Sequence, residues 1–208
     1  MIKIKSALIS VSDKKNLKNI LKILKKNNIK LISSGGTFKE IKKLKFKCLE
    51  VSNFTGFNEI LNGRVKTLHP KIHAGILNKR KNKSHIKDLK RNNFENIDLV
   101  IANFYPFEKT IKKTKNHNKI IENIDIGGSA LVRAAAKNYS DVVVITSPKQ
   151  YSELLDELRI HKGSTSLKFR KKMAQEAFAE TAYYDAVISD HFNKSSKVIF
   201  PHKKVLYG

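Results

Sequence analysis

The sequence predicts an α/β protein, a parallel sheet with helices on both faces and extra helices toward the C-terminal end. Three observations carry this reading. Through the first 51 residues, short apolar runs alternate with amphipathic segments in strand-helix-strand-helix-strand order, the rhythm of a parallel sheet wrapped by helices. Two further runs, Asp98–Asn103 and Val142–Ile145, are almost continuously apolar, as strands covered on both faces are. Turns rich in Ser, Gly and Thr follow the first two strands, where a strand hands over to a helix.

Taken in order, Ala7–Ser12 reads as a buried strand ending in hydroxyls, and Asp13 is placed to cap the helix that follows. Leu17, Ile20, Leu21 and Leu24 recur at helical spacing up to the stop at Asn27-Asn28. Leu31-Ile32 forms a second strand, and Ser33-Ser34-Gly35-Gly36-Thr37 turns into a helix through Ile41 and Leu44. Cys48–Val51 is expected to be the third strand, and the middle from Asn53 to Asn82 to be irregular. A helix is expected over Ser84–Asn92. The central strand Asp98–Asn103 stops at Phe104-Tyr105-Pro106-Phe107, because proline cannot join a ladder. Gly127–Lys137 reads as a helix supported by three consecutive alanines, followed by the strand Val142–Ile145. Helices over Pro148–Ile160 and from Leu167 to about Phe192 follow, then a polar, lysine-rich tail from Asn193.

Composition narrows the function. The chain has 208 residues, 40% hydrophobic, enough for one large domain with a core. Its net charge of +24 invites a nucleic-acid reading. The lysines, however, are spread through every segment among Asn and Ile, which gives a diffuse attraction rather than a patch, so no specific nucleic-acid partner is expected. A single cysteine, Cys48, excludes an intramolecular disulfide and fits a reducing compartment. The N-terminus carries no long apolar run, so no membrane span is expected and the default location is cytoplasmic.

The chemistry is expected where parallel strands end, since ligands bind beyond their carboxyl ends. Ser10-Val11-Ser12-Asp13-Lys14 and Ser34-Gly35-Gly36-Thr37 sit at the first two such ends. They are either ordinary capped turns or a phosphate cradle, in which glycine amides and a helix N-terminus meet an anion and Lys14 adds charge. At the third end, Asn103 and Tyr105 either reach a base edge or amide with their polar groups, or belong to an aromatic turn closing the core. Asp125 precedes Ile126-Gly127-Gly128 and is either a helix cap or a carboxylate for acid–base work beside free amides. Arg133 and Lys137 share a helix face, which makes Lys137 a tunable amine if that face turns inward.

The stretch Gly63-Arg64-Val65-Lys66-Thr67-Leu68-His69-Pro70 alternates cations with apolar residues before a helix-hostile His-Pro step. An extended segment there would put Arg64 and Lys66 on one face, anchored by Val65 and Leu68. His69 and His73 have a chelating spacing, but Pro70 and the lack of a nearby carboxylate argue against a metal, and His69 is expected to orient its neighbours instead.

The motifs GRVKTLHPKIH, SSGGT, NFYPF and DIGGSALVRAAAKN, with their spacings, resemble the bifunctional purine biosynthesis family in its IMP cyclohydrolase half. That half belongs to the methylglyoxal-synthase-like superfamily, with a Rossmann-like sheet. The resemblance covers nearly the whole chain and implies closure of 5-formamidoimidazole-4-carboxamide ribonucleotide (FAICAR) to inosine monophosphate (IMP) with loss of water, without a cofactor or metal. It places the phosphate at Ser12, Lys14, Ser34, Gly35, Gly36 and Thr37, and the ribose and base at Arg64, Lys66, Thr67, Asn103, Asp125 and Ile126. It makes Lys137 a proton donor or acceptor, aided by Lys66, Tyr105 and Asp125.

Three departures from the family pattern are Ala74 for glycine, Ser34 for threonine and Phe104 for leucine, and none removes a catalytic group. The resemblance divides the chain into a cyclohydrolase domain over 1–193 and the start of a transformylase domain over 194–208. The second domain is expected to be absent here, since the chain ends Val205-Leu206-Tyr207-Gly208 within its opening motif. The family also implies a homodimer formed largely through that second half. A methylglyoxal-synthase-type lyase or a regulatory phosphate-ligand module would share the cradle, but the lyase has no need of the long NFYPF and DIGGSALVRAAAK elements to hold a base.

Overall fold

The computed structural model describes residues 1–195. The strands are β1 (Ile2–Lys3), β2 (Ser6–Val11), β3 (Lys30–Ser33), β4 (Leu49–Glu50), β5 (Leu99–Asn103), β6 (Val143–Ile145) and β7 (Ser164–Thr165). The helices are α1 (Leu17–Lys26), α2 (Gly35–Lys43), α3 (Val51–Thr55), α4 (Pro70–Leu77), α5 (Lys83–Arg91), α6 (Phe107–Lys113), α7 (His117–Ile121), α8 (Ile126–Lys137), α9 (Tyr151–Ile160) and α10 (Leu167–Ser195). A 3-10 turn, Leu61–Gly63, precedes α4.

Five strands form one parallel sheet, as the sequence predicts, and the structure sets their order as β4-β3-β2-β5-β6. In β5, Leu99, Val100, Ile101 and Ala102 are all buried, so both faces of the central strand are covered. The fold is the doubly covered α/β sheet that the apolar runs imply. The chain grows outward from β2 through β3 to β4 and then returns to place β5 on the other side of β2. Connections therefore leave β2 and β5 in opposite directions, which opens a crevice beyond their ends. The register pairs Val11 with Asn103, so the two strands finish level and the crevice has a flat floor.

The helices follow from their stripes. On α1, Leu17, Ile20, Leu21 and Leu24 are at most 2% exposed, while the lysines between them face water. α8 packs on β5 and β6 through Leu131, Val132 and Ala134–Ala136, whose small side chains let the helix approach closely. α10 then covers α8 and β6.

Several local expectations are corrected. Asp13 does not cap α1; the N-cap is Asn16 in the left-handed region, and Asp13 instead accepts a hydrogen bond from the Lys15 amide at 2.9 Å. The third strand shrinks to two residues, because Val51 already starts α3. Cys48 therefore lies just outside the strand; it packs half-buried against the core, and burial pushes its thiol up to about 12. The middle of the chain is less irregular than its composition suggests. The His69-Pro70 step opens α4 rather than excluding a helix, because proline's missing N–H is no loss at the first helical position. His69 Nδ1 accepts the Lys71 amide at 3.1 Å as the cap, the orienting role expected of it. Helices α6 and α7, too short to show a period, escaped the sequence reading, as did the small antiparallel pair β1–β7. The 148–160 helix divides into a 3-10 turn with a Ser147/Gln150 capping box and α9. The chain is still helical at Asn193, where a polar tail was expected to begin, and the remainder of that tail lies outside the described residues.

Candidate active site

Beyond the ends of β2 and β5 lies a cleft of about 730 Å³. Its first wall is the N-terminus of α2, where Gly35 has φ +53°, a conformation that favours glycine. The first amides of a helix have no partner within it and carry the positive end of its dipole. Here Gly36 and Thr37 border the cleft directly, with buried Ser34 beside them. Two amines converge over this turn. A Cβ at Gly35 would lie 3.4 Å from Lys66 Nζ, and one at Gly36 would lie 4.0 Å from Lys14 Nζ. Stretches distant in sequence thus close on one anion-sized space.

Two predicted ligand contacts are engaged within the fold. The Thr37 hydroxyl donates to the Val11 carbonyl and accepts from the Val11 amide, both at 3.0 Å, tying α2 to the end of β2. Asn103 borders the cleft, with its amide engaged by the loop after β2. Its Oδ1 accepts from the amides of Ser12 at 2.7 Å and Asp13 at 2.9 Å, and its Nδ2 donates to the Asp13 carbonyl at 3.1 Å. Its side chain shapes the loop that carries Ser12 and Lys14, next to Ser10 on the cleft floor.

The second wall is the segment 61–68. It is not an extended strand, since Arg64 is helical, Val65 makes one isolated bridge to Ile60 and the chain then bends. The anchor is also different: Leu68 is 40% exposed, whereas Thr67 is buried at 4%. Thr67 sits against the start of α8, where a Cβ at Gly127 would come within 2.9 Å of its hydroxyl. Arg64 reaches Glu122 at the end of α7 with an ion pair of 3.0 Å.

The third wall is the N-terminus of α8. Asp125 is the helix cap that the sequence allowed, and it also faces the cleft. Its carboxylate Oδ1 accepts the Gly128 amide at 2.7 Å. A Cβ at residue 128 would collide with that carboxylate, which is why glycine stands there. Burial raises the Asp125 pKa above the usual carboxylate value, against the opposing pull of the Gly128 and Tyr105 amides and of Lys66. Tyr105 lines the same space, and burial together with the Asp125 charge raises its phenol. The cleft therefore brings together a helix start, two amines and a carboxylate of raised pKa, the kind of perturbed group found at acid–base sites.

Lys137 is the exception among the predicted catalytic residues. The face it shares with Arg133 turns outward, and Lys137 is exposed at the far end of α8, roughly 17 Å along the axis from Ile126 at 1.5 Å per residue. It does not border this chain's cleft. His73 points a buried, unpartnered Nε2 into the protein rather than joining His69, and burial lowers its pKa. Among the described residues no group of three or more His, Cys, Asp or Glu could hold a metal, and no helix is long and apolar enough to cross a membrane. The sequence reading missed Ile121, Glu122 and Ile124, which line the cleft from the short α7 and its exit. No periodicity marks them, and they join the site only through the crossing of α7 over the crevice.

The comparisons with known proteins fit this geometry. Residues 16–130 match the family model for the MGS-like domain, and residues 135–207 match that for the AICARFT/IMPCHase bienzyme. The bifunctional purine biosynthesis protein PurH of Bradyrhizobium diazoefficiens is 46% identical over 97% of this chain and 38% of its own length. PurH of Persephonella marina is 49% identical over 91% of this chain and 37% of its own. This chain thus spans less than two fifths of either relative's length. Among solved structures, the crystal structure of ForH superposes with a TM-score of 0.80 at 27% identity, covering 91% of this chain and 99% of that one. Matched over more than half its length by that family model and folded as the matching sheet, the chain belongs to the MGS-like domain family.

Proposed function

We propose that this chain is an IMP cyclohydrolase, closing FAICAR to IMP as the last step of de novo purine synthesis. The observation that supports it best is convergence: the α2 N-terminus, Lys14, Lys66, Thr67 and Asp125 border one cleft, as a monophosphorylated ribonucleotide needs. Similarity to PurH proteins across nearly the whole chain points the same way. The phosphate goes to the amides of Gly35 and Gly36 with Ser10, Ser12, Lys14 and Ser34, and Arg64 contributes charge at the mouth. The imidazole lies toward Tyr105, Asp125, Ile126, Gly127 and Gly128.

In the reaction the carboxamide nitrogen attacks the formyl carbon, and the formyl oxygen takes up the displaced electron pair. Holding the two arms in contact supplies a large part of the rate, since well-oriented intramolecular reactions gain several kcal/mol from positioning alone. Lys66 and the amides at the start of α8 stabilise the oxyanion. Asp125 takes the proton released by the attacking nitrogen. Lys66 then protonates the oxyanion to a hydroxyl, Asp125 passes its proton to that hydroxyl, which leaves as water, and the formamido nitrogen gives its proton to Lys66 as the C=N bond forms. The raised pKa of Asp125 suits a base that must also release its proton.

The decisive experiment incubates the purified chain with FAICAR and, separately, with dihydroxyacetone phosphate. The cyclohydrolase reading requires IMP absorbance in the first and no methylglyoxal in the second. Methylglyoxal instead of IMP would establish the lyase, and turnover of neither substrate would leave a binding module.

A further inference from the structure

Tyr184, on α10, lies outside every stretch that the sequence marks for chemistry, yet it touches the site at two points. Its hydroxyl accepts the backbone amide of Asp125 at 2.9 Å and donates to the carbonyl of Asn123 at 3.1 Å. Both hydrogen-bonding capacities of one oxygen are thus spent on the two-residue approach to the Asp125 cap. Tyr184 is 7% exposed; its ring lies tilted against Phe104 with centroids 4.7 Å apart and meets Phe107 edge-on at 6.4 Å. Phe104 is the residue before Tyr105, which lines the cleft together with Asp125. A single side chain therefore couples the loop after β5 to the loop before α8, the two walls that present Asp125.

We infer that Tyr184 is a positioning residue for the cyclohydrolase reaction, fixing where the Asp125 carboxylate stands relative to Lys66 and the substrate. The inference rests on the function proposed above. The phenol suits the role because it must donate and accept at once, and burial, first among its causes, pushes it up to about 12, so it keeps its proton at neutral pH. The same apolar cluster of Phe107, Ile120 and Tyr184, with Phe104, Ile111 and Ile124 beside it, keeps water from competing for the Asp125 and Asn123 backbone groups. The titratable groups that face Asp125 are Lys66 from the segment before α4, Tyr105 from the loop after β5, and Tyr184 itself from α10.

Tyr184→Phe keeps the ring and removes the hydroxyl. Freed from its anchor, the Asp125 loop admits more water, and the carboxyl is expected to titrate lower, closer to an ordinary aspartate. Carbon-13 NMR of the Asp125 carboxyl in both proteins reads this without any activity. With FAICAR, kcat is expected to fall about ten- to a hundredfold with KM within about twofold, as small misplacements near reacting atoms do, and the acid limb of the rate profile is expected to move to lower pH. Ile188→Ala, one turn along the same face and in the same cluster, serves as the stability control: it is expected to lower Tm and leave the Asp125 titration in place. An unchanged Asp125 titration in Tyr184→Phe overturns the positioning role, as does an equal shift in Ile188→Ala. A shifted titration in Tyr184→Phe, in a protein whose wild-type chain does not turn over FAICAR, keeps the coupling and removes the cyclohydrolase reading instead.

Discussion

Asn103 and Asp13 clasp each other at the ends of two neighbouring strands: the Asp13 amide donates to Asn103 Oδ1 at 2.9 Å, and Asn103 Nδ2 returns a bond to the Asp13 carbonyl at 3.1 Å. With the Ser12 amide also on Oδ1, the loop that carries Lys14 takes its shape from one carboxamide. Asn103→Asp keeps the acceptor but sets a charged oxygen against the Asp13 carbonyl. We predict a KM for FAICAR raised about tenfold or more, the equivalent of one lost hydrogen bond, with kcat less affected. Steady-state kinetics check it, and an unchanged KM would mean that the loop holds its shape without the clasp.

Lys66 stands over the glycine turn and acts on Asp125, so it touches both ends of the proposed reaction. Lys66→Ala is expected to cut kcat about a hundredfold or more, as loss of a proton donor does, while KM changes by no more than about threefold. A variant with weakened binding and normal turnover would reduce Lys66 to a binding group.

Asp125→Asn separates activity from stability. Asparagine caps a helix as well as aspartate does, but it carries no charge to desolvate. Because burial raises the folded-state pKa of Asp125, the group's contribution to stability is full below the unfolded value and is lost as pH rises through the raised folded value. The variant is therefore expected to unfold at a higher temperature than the wild type at neutral pH, with the gap closing below about pH 4. Turnover is expected to fall about a hundredfold or more over the same range. Thermal unfolding at several pH values tests the first half, and a lower Tm at neutral pH would contradict it.

Glu122 pairs with Arg64 across the mouth of the cleft, and both side chains are about 60% exposed. Such a pair adds little to stability, so Glu122→Gln is expected to change the unfolding free energy by no more than about 0.5 kcal/mol. It also removes a negative charge from the path of an anionic substrate and frees Arg64 to meet it. KM for FAICAR is expected to drop about two- to threefold at low salt, an effect that fades once the Debye length falls below about 10 Å. A KM unchanged at low salt would place Arg64 outside substrate binding.

Gly128→Ala tests the cap itself, because the added methyl would displace the Asp125 carboxylate from its bond to the residue 128 amide. A loss of about 1 kcal/mol in stability, the usual cost of a removed cap, is expected together with reduced turnover. Chemical denaturation and kinetics on the same preparation check both.

How much could be read before folding depended on the range of each signal. The sheet announced itself because β5 and β6 are buried on both faces, which forces unbroken apolar runs, and α1 because its lysines and leucines separate at helical spacing. Ser12, Lys14, the Gly35-Gly36 turn, Lys66 and Asp125 were legible because each belongs to a local pattern of strand end, glycine turn or alternating charge. The sequence alone determined that such turns exist and which polar and charged groups they carry. Which of those groups the fold itself engages was decided by the tertiary structure. Thr37 and Asn103 carry the right atoms and spend them on Val11, Ser12 and Asp13, while Lys137 sits on a helix face that packing against β5 and β6 turns outward. Glu122 and Tyr184 joined the site only when α7 and α10 crossed it. A hydrogen bond spanning 59 residues, such as that from the Asp125 amide to Tyr184, leaves no trace in local periodicity, because its partners are brought together by the burial of apolar surface elsewhere in the chain.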